Sequence, residues 1–112
     1  MDQLQEQANG NSIARLRISH SRLKAHLFPF GLTADPNCTT CGVPENTKHI
    51  LVECFRTRRE RGAMFLKLVR LGIRTPTTKL LLGGGDFDLT TQNEIRKALE
   101  YFLSSSGTID LI

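Results

Sequence analysis

Residues 38–54 read CTTCGVPENTKHILVEC, and the four side chains in that stretch with an affinity for soft cations are Cys38, Cys41, His49 and Cys54. Their spacing is Cys-x2-Cys-x7-His-x4-Cys. Two thiolates separated by two residues lie on one tight turn with both sulfurs aimed at a single point, and zinc completes its tetrahedron with two further ligands. Thr39 and Thr40 suit such a turn. Three cysteines leave one unpaired in any disulfide scheme, so the count favours a metal over a cystine. Five residues of ideal helix turn through about 140° beyond a full turn. His49 and Cys54 therefore cannot face one ion from an unbroken helix, and the spacing predicts a tightened or broken turn between them, with Ile50 and Leu51 in the core beside the ion. Four protein ligands leave no coordination position for water or substrate, which marks a structural zinc and not a catalytic one. Binding is then folding energy, on the order of 10 kcal/mol. The competing reading is three buried free cysteines and an unrelated histidine.

On the N-terminal side, Gly31 to Asn37 is a loop containing the turn-favouring Asp35-Pro36-Asn37. Before it, Ile13, Leu16, Leu23 and Leu27, with His20 among them, fall at i, i+3, i+10, i+14 and i+7. This is the narrow apolar stripe of one amphipathic helix from Ser12, its N-cap, to Leu27. Pro29 ends it, because the residue before proline is pushed out of the helical region. His20 reads as a buried, hydrogen-bonded core histidine. Arg15, Arg22 and His26 lie on the opposite side, with His26 solvated or near a phosphate.

On the C-terminal side, Gly42 to Asn46 is turn-rich, and Thr47 to Leu71 is helical with one interruption near Cys54. From Arg56 onward, Met64, Phe65, Leu68, Val69 and Leu71 cover one broad face, while Arg56, Arg59, Lys67 and Arg70 cover the other. Gly72 stops the helix. Thr75 to Leu82 gives one or two helical turns, and Gly83-Gly84-Gly85 is a hinge, since no Gly-Lys-Ser/Thr follows it to make a phosphate loop. Thr91-Gln92-Asn93-Glu94 has capping-box spacing, and Ile95, Leu99, Phe102 and Leu103 predict a last helix from Gln92 to Ser104. The apolar tail Ile109 to Ile112 either docks or frays.

The chain has 112 residues with 39% hydrophobic content, no Trp and a net charge of +4. That is one domain's worth of chain with a modest core. Residues 12–74 hold twelve Lys or Arg against four acids, so the positive field sits on the metal-bearing segment. Arg15, Arg22, Arg56, Arg59, Lys67 and Arg70, with Arg17 and Lys24, can track a phosphate backbone. A solvated helix face is the other reading. No apolar run of about 18 residues exists and residues 1–11 are polar and acidic, so the chain reads as intracellular, in nucleus or cytoplasm, with no membrane partner; no small-molecule substrate is expected either. Residues 1–11 are expected to be a flexible tail, 12–104 the zinc-binding domain and 105–112 a C-terminal tail. The expected fold is mainly α, a small helical domain with a Cys3His zinc-binding loop.

The run from Arg15 to Leu27, then Phe30-Gly31-Leu32, Cys38-x2-Cys41-Gly42, Glu45, His49-Ile50-Leu51-x-Glu53-Cys54 and Arg61, resembles the zinc-binding C-terminal tail of non-LTR retrotransposon reverse transcriptase/ribonuclease H polyproteins. The resemblance spans about residues 13 to 104. It implies that Cys38, Cys41, His49 and Cys54 occupy the family's metal positions. Ser19 stands where the family usually has glycine, and Phe55 where it often has proline. The 112 residues contain neither a polymerase Asp-Asp motif nor a ribonuclease H carboxylate set. The expected function is therefore that of a non-catalytic structural-zinc module contacting RNA or single-stranded DNA. The alternative is an architectural module docking on a ribonuclease H or reverse transcriptase domain, through the Met64, Phe65 and Leu68 face and the Thr108 to Ile112 tail, or an inactive retroelement remnant.

Overall fold

The structure, a computed structural model, describes residues 12–19 and 21–112. The expectations for residues 1–11 and for His20 lie outside the described residues. The fold is mainly α. Among the described residues the only β pairing is an isolated antiparallel bridge between Asn37 and Pro44.

Two helices form the frame. One, which we call α3, runs Arg58–Arg70, and the other, α5, runs Leu89–Ser105. They pack along one another. On α3 the buried residues are Arg61, Met64 and Leu68, at i, i+3 and i+7. On α5 they are Ile95, Ala98, Leu99, Phe102 and Leu103, the single apolar stripe that a helix lying on a core requires. Val69 and Leu71, expected on the buried face of α3, are instead 52% and 36% exposed. The helix follows a 3-10 turn over Phe55–Thr57. Its buried stripe, Arg61, Met64 and Leu68, is narrower than the expected face: Val69 lies about 100° round the helix from Leu68, and Leu71 follows the last helical residue as its C-cap. Gly72, at φ 87°, ends α3 as expected. Its N–H donates to Val69 O and the Ile73 N–H to Leu68 O, both at 2.9 Å. This 5→2 and 6→1 pair, with Ile73 buried, is a Schellman stop.

The start of α5 differs from the expected capping box at Thr91–Glu94. The N-cap is Asp88, whose carboxylate accepts the Thr91 N–H at 3.0 Å. Glu94 instead approaches Lys97 at 3.5 Å. An acceptor carboxylate one turn earlier satisfies free amides and faces the positive helix end, so the helix gains a turn. Between the long helices, α4 spans Thr78–Leu81 with Thr77 as its cap.

The N-terminal region departs most from expectation. A single helix from Ser12 to Leu27 does not form. Residues 12–17 are helical (α1), and a second helix, α2, spans Lys24–Leu27. Between them Ser19 has φ 55° and Ile18 is 71% exposed. Ile13, Leu16 and Leu23 still reach the core, but from separate elements. The break frees the amides at the start of α2. The Lys24 N–H donates to Glu45 Oε1 and the Ala25 N–H to Glu45 O, both at 3.1 Å. A continuous helix would have used those donors internally, so a distant carboxylate caps what the local pattern would have joined. The α-helical part ends at Leu27, as expected, but not because the residue before Pro29 leaves the helical region. Phe28 before it remains right-handed helical, a 3-10 turn covers Phe28–Phe30, and the chain turns away at Gly31 with φ 69°.

Of the two outcomes open to the apolar tail, docking is realised. Thr108–Leu111 forms a 3-10 turn, with Thr108 and Ile112 buried. The Arg22 N–H donates to Leu111 O at 2.8 Å, and Arg15 Nη1 to Ile112 O at 3.1 Å.

Candidate metal centre

The first two ligands come from a knuckle framed by the Asn37–Pro44 bridge. The Glu45 N–H donates to Pro36 O at 2.9 Å, the Cys38 N–H to Val43 O at 2.7 Å and the Gly42 N–H to Cys38 O at 2.8 Å. The reversal needs Gly42, which sits at φ 72°, in the left-handed region where a side chain is strained. Backbone amides of Thr40 and Cys41 point at the Cys38 sulfur.

The other two ligands come from a turn that Asn46 starts. Its Oδ1 accepts the His49 N–H at 2.8 Å and its carbonyl the Ile50 N–H at 3.0 Å, the pattern of an N-cap. His49–Glu53 is then a π-helical turn, closed by the Cys54 N–H donating to His49 O at 2.7 Å. An i→i+5 bond widens the turn by one residue and brings i and i+5 over one another. The turn does break at Cys54, which is extended at φ −65°, ψ 127°. Between the ligands it is widened, not tightened. Widening solves the same angular problem, and it leaves Ile50 and Leu51 fully buried in the core as expected.

One sulfur or imidazole nitrogen from each of Cys38, Cys41, His49 and Cys54 lies within 4.8 Å of the others, and these four side chains can hold a metal ion. Cys38 Sγ and Cys54 Sγ are 3.9 Å apart, and all three cysteines are free thiols. His49 is 2% exposed, yet neither ring nitrogen has a hydrogen-bond partner. Leaving such a group unpaired is costly, and an ion at the centre satisfies one nitrogen.

The surroundings favour anionic sulfur at two of the three cysteines, Cys38 and Cys54. Burial pushes the Cys38 thiol up, but the Cys41 amide, His49 and the Thr40 amide outweigh it and the net shift is down. Burial also raises Cys54, and the Arg56 guanidinium and amide bring it below the usual thiol range. The Phe55 N–H donates to Cys41 Sγ at 3.5 Å. It pulls the Cys41 thiol down, while burial and the neighbouring Cys54 and Cys38 leave it raised overall.

Three groups around the ligands were not singled out as site residues from the sequence pattern. Arg61, 7% exposed, donates through Nε to Leu51 O at 3.2 Å, through Nη2 to Thr57 Oγ1 at 2.9 Å, and to Cys54 O. It braces both sides of the widened turn. Glu45, 5% exposed, accepts from Lys24 and pairs with Arg56 at 3.4 Å, joining knuckle, α2 and the segment after Cys54. His26, expected to be solvated or near a phosphate, is half-buried. Its Nδ1 lies 2.7 Å from Ser21 Oγ and its Nε2 3.3 Å from Thr47 Oγ1, so it links α2 to the turn that carries His49. No local spacing signals these roles, because each partner lies on another element.

The basic residues expected to contact nucleic acid fall in separate places. Arg15 and Arg22 line a cleft with Ser21 and Ile112. Lys67 and Arg70 line a groove between α3 and α5, with the Lys67 ammonium 4.3 Å above the Tyr101 ring. Arg56 turns toward Cys54 and Glu45. Arg59 is exposed on the first turn of α3. No protein-family model matches this sequence, and no curated protein or solved structure matches it either.

Proposed function

We propose that this chain is a non-catalytic module whose fold is organised by one structural zinc ion and whose basic surface contacts RNA or single-stranded DNA. The observation that carries the reading is the convergence of three thiols and one orphaned imidazole within 4.8 Å. Three soft thiolates and an imidazole match zinc, with Zn–S bonds of about 2.3 Å. Sulfurs on a tetrahedron of that size stand about 3.8 Å apart, against the 3.9 Å between Cys38 and Cys54. All four corners come from protein, which argues for a structural ion.

The kinship with the tail of non-LTR retrotransposon reverse transcriptases is part of the same proposal. Two features support it besides the ligand spacing. Ser19 adopts the left-handed conformation, at φ 55°, where the family usually has glycine. Arg61 and Glu45, both within the resembling segments, brace the centre.

The zinc part is tested by metal analysis of purified protein, where one equivalent per chain is expected, and by chelation followed by circular dichroism. Retention of full helicity without metal overturns it. The nucleic-acid part is tested by binding to single strands at increasing salt, where log K should fall linearly with log salt. Reversing the charge of Arg59 and Arg70 should weaken binding, and unchanged affinity in that variant counts against it.

A protein-docking reading has one observation in its favour. Leu66 and Val69, one helical turn apart on α3, are 54% and 52% exposed. Met64, Leu68, Thr108 and Ile112, which the sequence pattern offered for docking, are spent on the chain's own core. A concentration-dependent dimer in light scattering, without affinity for nucleic acid, would select it.

A further inference from the structure

We propose that Phe55, with the Arg58 guanidinium over its ring and Arg59 beside it, is a stacking site for one base of a single-stranded nucleic acid, held in place by the metal centre. The inference rests on the proposed nucleic-acid function and names the site at which it acts. Phe55 is 59% exposed, directly after a ligand that is fully buried. A lone exposed Phe is ordinary; this one differs in how it is held. Its N–H donates to Cys41 Sγ at 3.5 Å, and its carbonyl accepts from Arg58 Nη1 at 3.1 Å. The backbone that carries the ring is therefore tied on both sides, so ordering it for a ligand costs little entropy.

The Arg58 carbon Cζ stands 3.9 Å from the ring centroid. A guanidinium plane on an aromatic face presents two flat surfaces in layers, and both stack on nucleobases. Arg56 is not available for phosphate, because it is engaged with Cys54 and Glu45. Arg59 is exposed and has neither a hydrogen-bond nor an ion-pair partner among the described residues. Glu53 and Glu60 flank the segment and limit the local positive field. The site should thus draw its affinity from stacking more than from phosphate contacts, with a shallow salt dependence. Phe30, 72% exposed and with no cation over its ring among the described residues, is the natural control.

The chain contains no Trp, so Phe55→Trp in the metal-loaded protein supplies a single fluorophore at the site. Oligo(U), oligo(dT) and a duplex of equal length serve as probes. The two single strands should quench the Trp emission saturably, at the midpoint of wild-type anisotropy titrations, and the duplex should not. Phe55→Ala should weaken single-strand binding on the order of tenfold while keeping its metal and circular dichroism, and Phe30→Ala should bind as wild type. Quenching by either single strand supports the inference, and their ratio distinguishes RNA from DNA. Binding without quenching, undiminished binding by Phe55→Ala, or a loss in Phe30→Ala instead, overturns the stacking site and leaves the nucleic-acid reading standing. Failure of the wild type to bind either single strand overturns both.

Discussion

Leu51 and Leu99 are both fully buried, but different forces hold the backbone around them. Leu99 lies on α5, a regular helix whose polar groups are satisfied internally and whose apolar stripe packs on α3. Leu51 lies on a π-helical turn between a knuckle and a 3-10 turn, where few backbone groups pair regularly. What fixes that segment is a small number of directional links: the Arg61 fork to the Leu51 and Cys54 carbonyls, the Glu45 carboxylate and, in the proposed metal-bound state, the four ligands.

The largest expected effect is removal of the ion. Chelation, or Cys54→Ser, should remove stabilisation on the order of 10 kcal/mol and unfold residues 38–57 along with the Ile50 and Leu51 side of the core. Hydrogen exchange and circular dichroism report it, and an unchanged melt after stripping would break the contrast between the two regions. Next is the helix pair. Phe102→Ala should cost about 3–5 kcal/mol in denaturant titrations while the metal content of the folded protein stays that of the wild type. Loss of the ion from that folded variant would show that the regions are not separable. Arg61→Ala should cost about 2–3 kcal/mol by leaving buried carbonyls unpaired. Arg61→Lys should recover only part, since one ammonium cannot reproduce the fork.

A smaller effect concerns pH. Burial lowers the His26 pKa below its ordinary 6.5, so the folded state binds its proton less readily than the unfolded state does. That contribution is complete above pH 6.5 and is lost as pH falls below it. The metal ligands also lose affinity in acid, so the comparison is with His26→Gln, whose stability should fall less steeply just below pH 6.5. Equal slopes would exclude a role for His26. The smallest effect is a gain. Ser19→Gly relieves a left-handed backbone but adds freedom to the unfolded chain, for a net stabilisation under about 1 kcal/mol. A lower melting temperature would mean that the Ser19 side chain contributes something its conformation does not reveal.

The parts of this molecule legible without coordinates share one property: their information is local. Cys38 and Cys41 are three positions apart, Ile95 to Leu103 repeat at helical spacing, and Gly72 follows the last residues of α3 directly. Chain geometry alone links such residues, so composition and spacing determined the Cys3His cluster that can hold an ion, the α5 core stripe, the α3 stop and the mainly α class. Tertiary structure decided the rest. Glu45 reaches back to Lys24 and splits the first helix, His26 is claimed by Thr47, Arg61 is drawn inward by the carbonyls of Leu51 and Cys54, and the His49–Cys54 turn widens instead of tightening. The first three outcomes depend on a polar group finding a partner on another element, while the widened turn closes on itself through the Cys54 N–H and the His49 carbonyl. A buried donor or acceptor costs too much unpaired to be left so, and only the folded chain shows which partner is within reach.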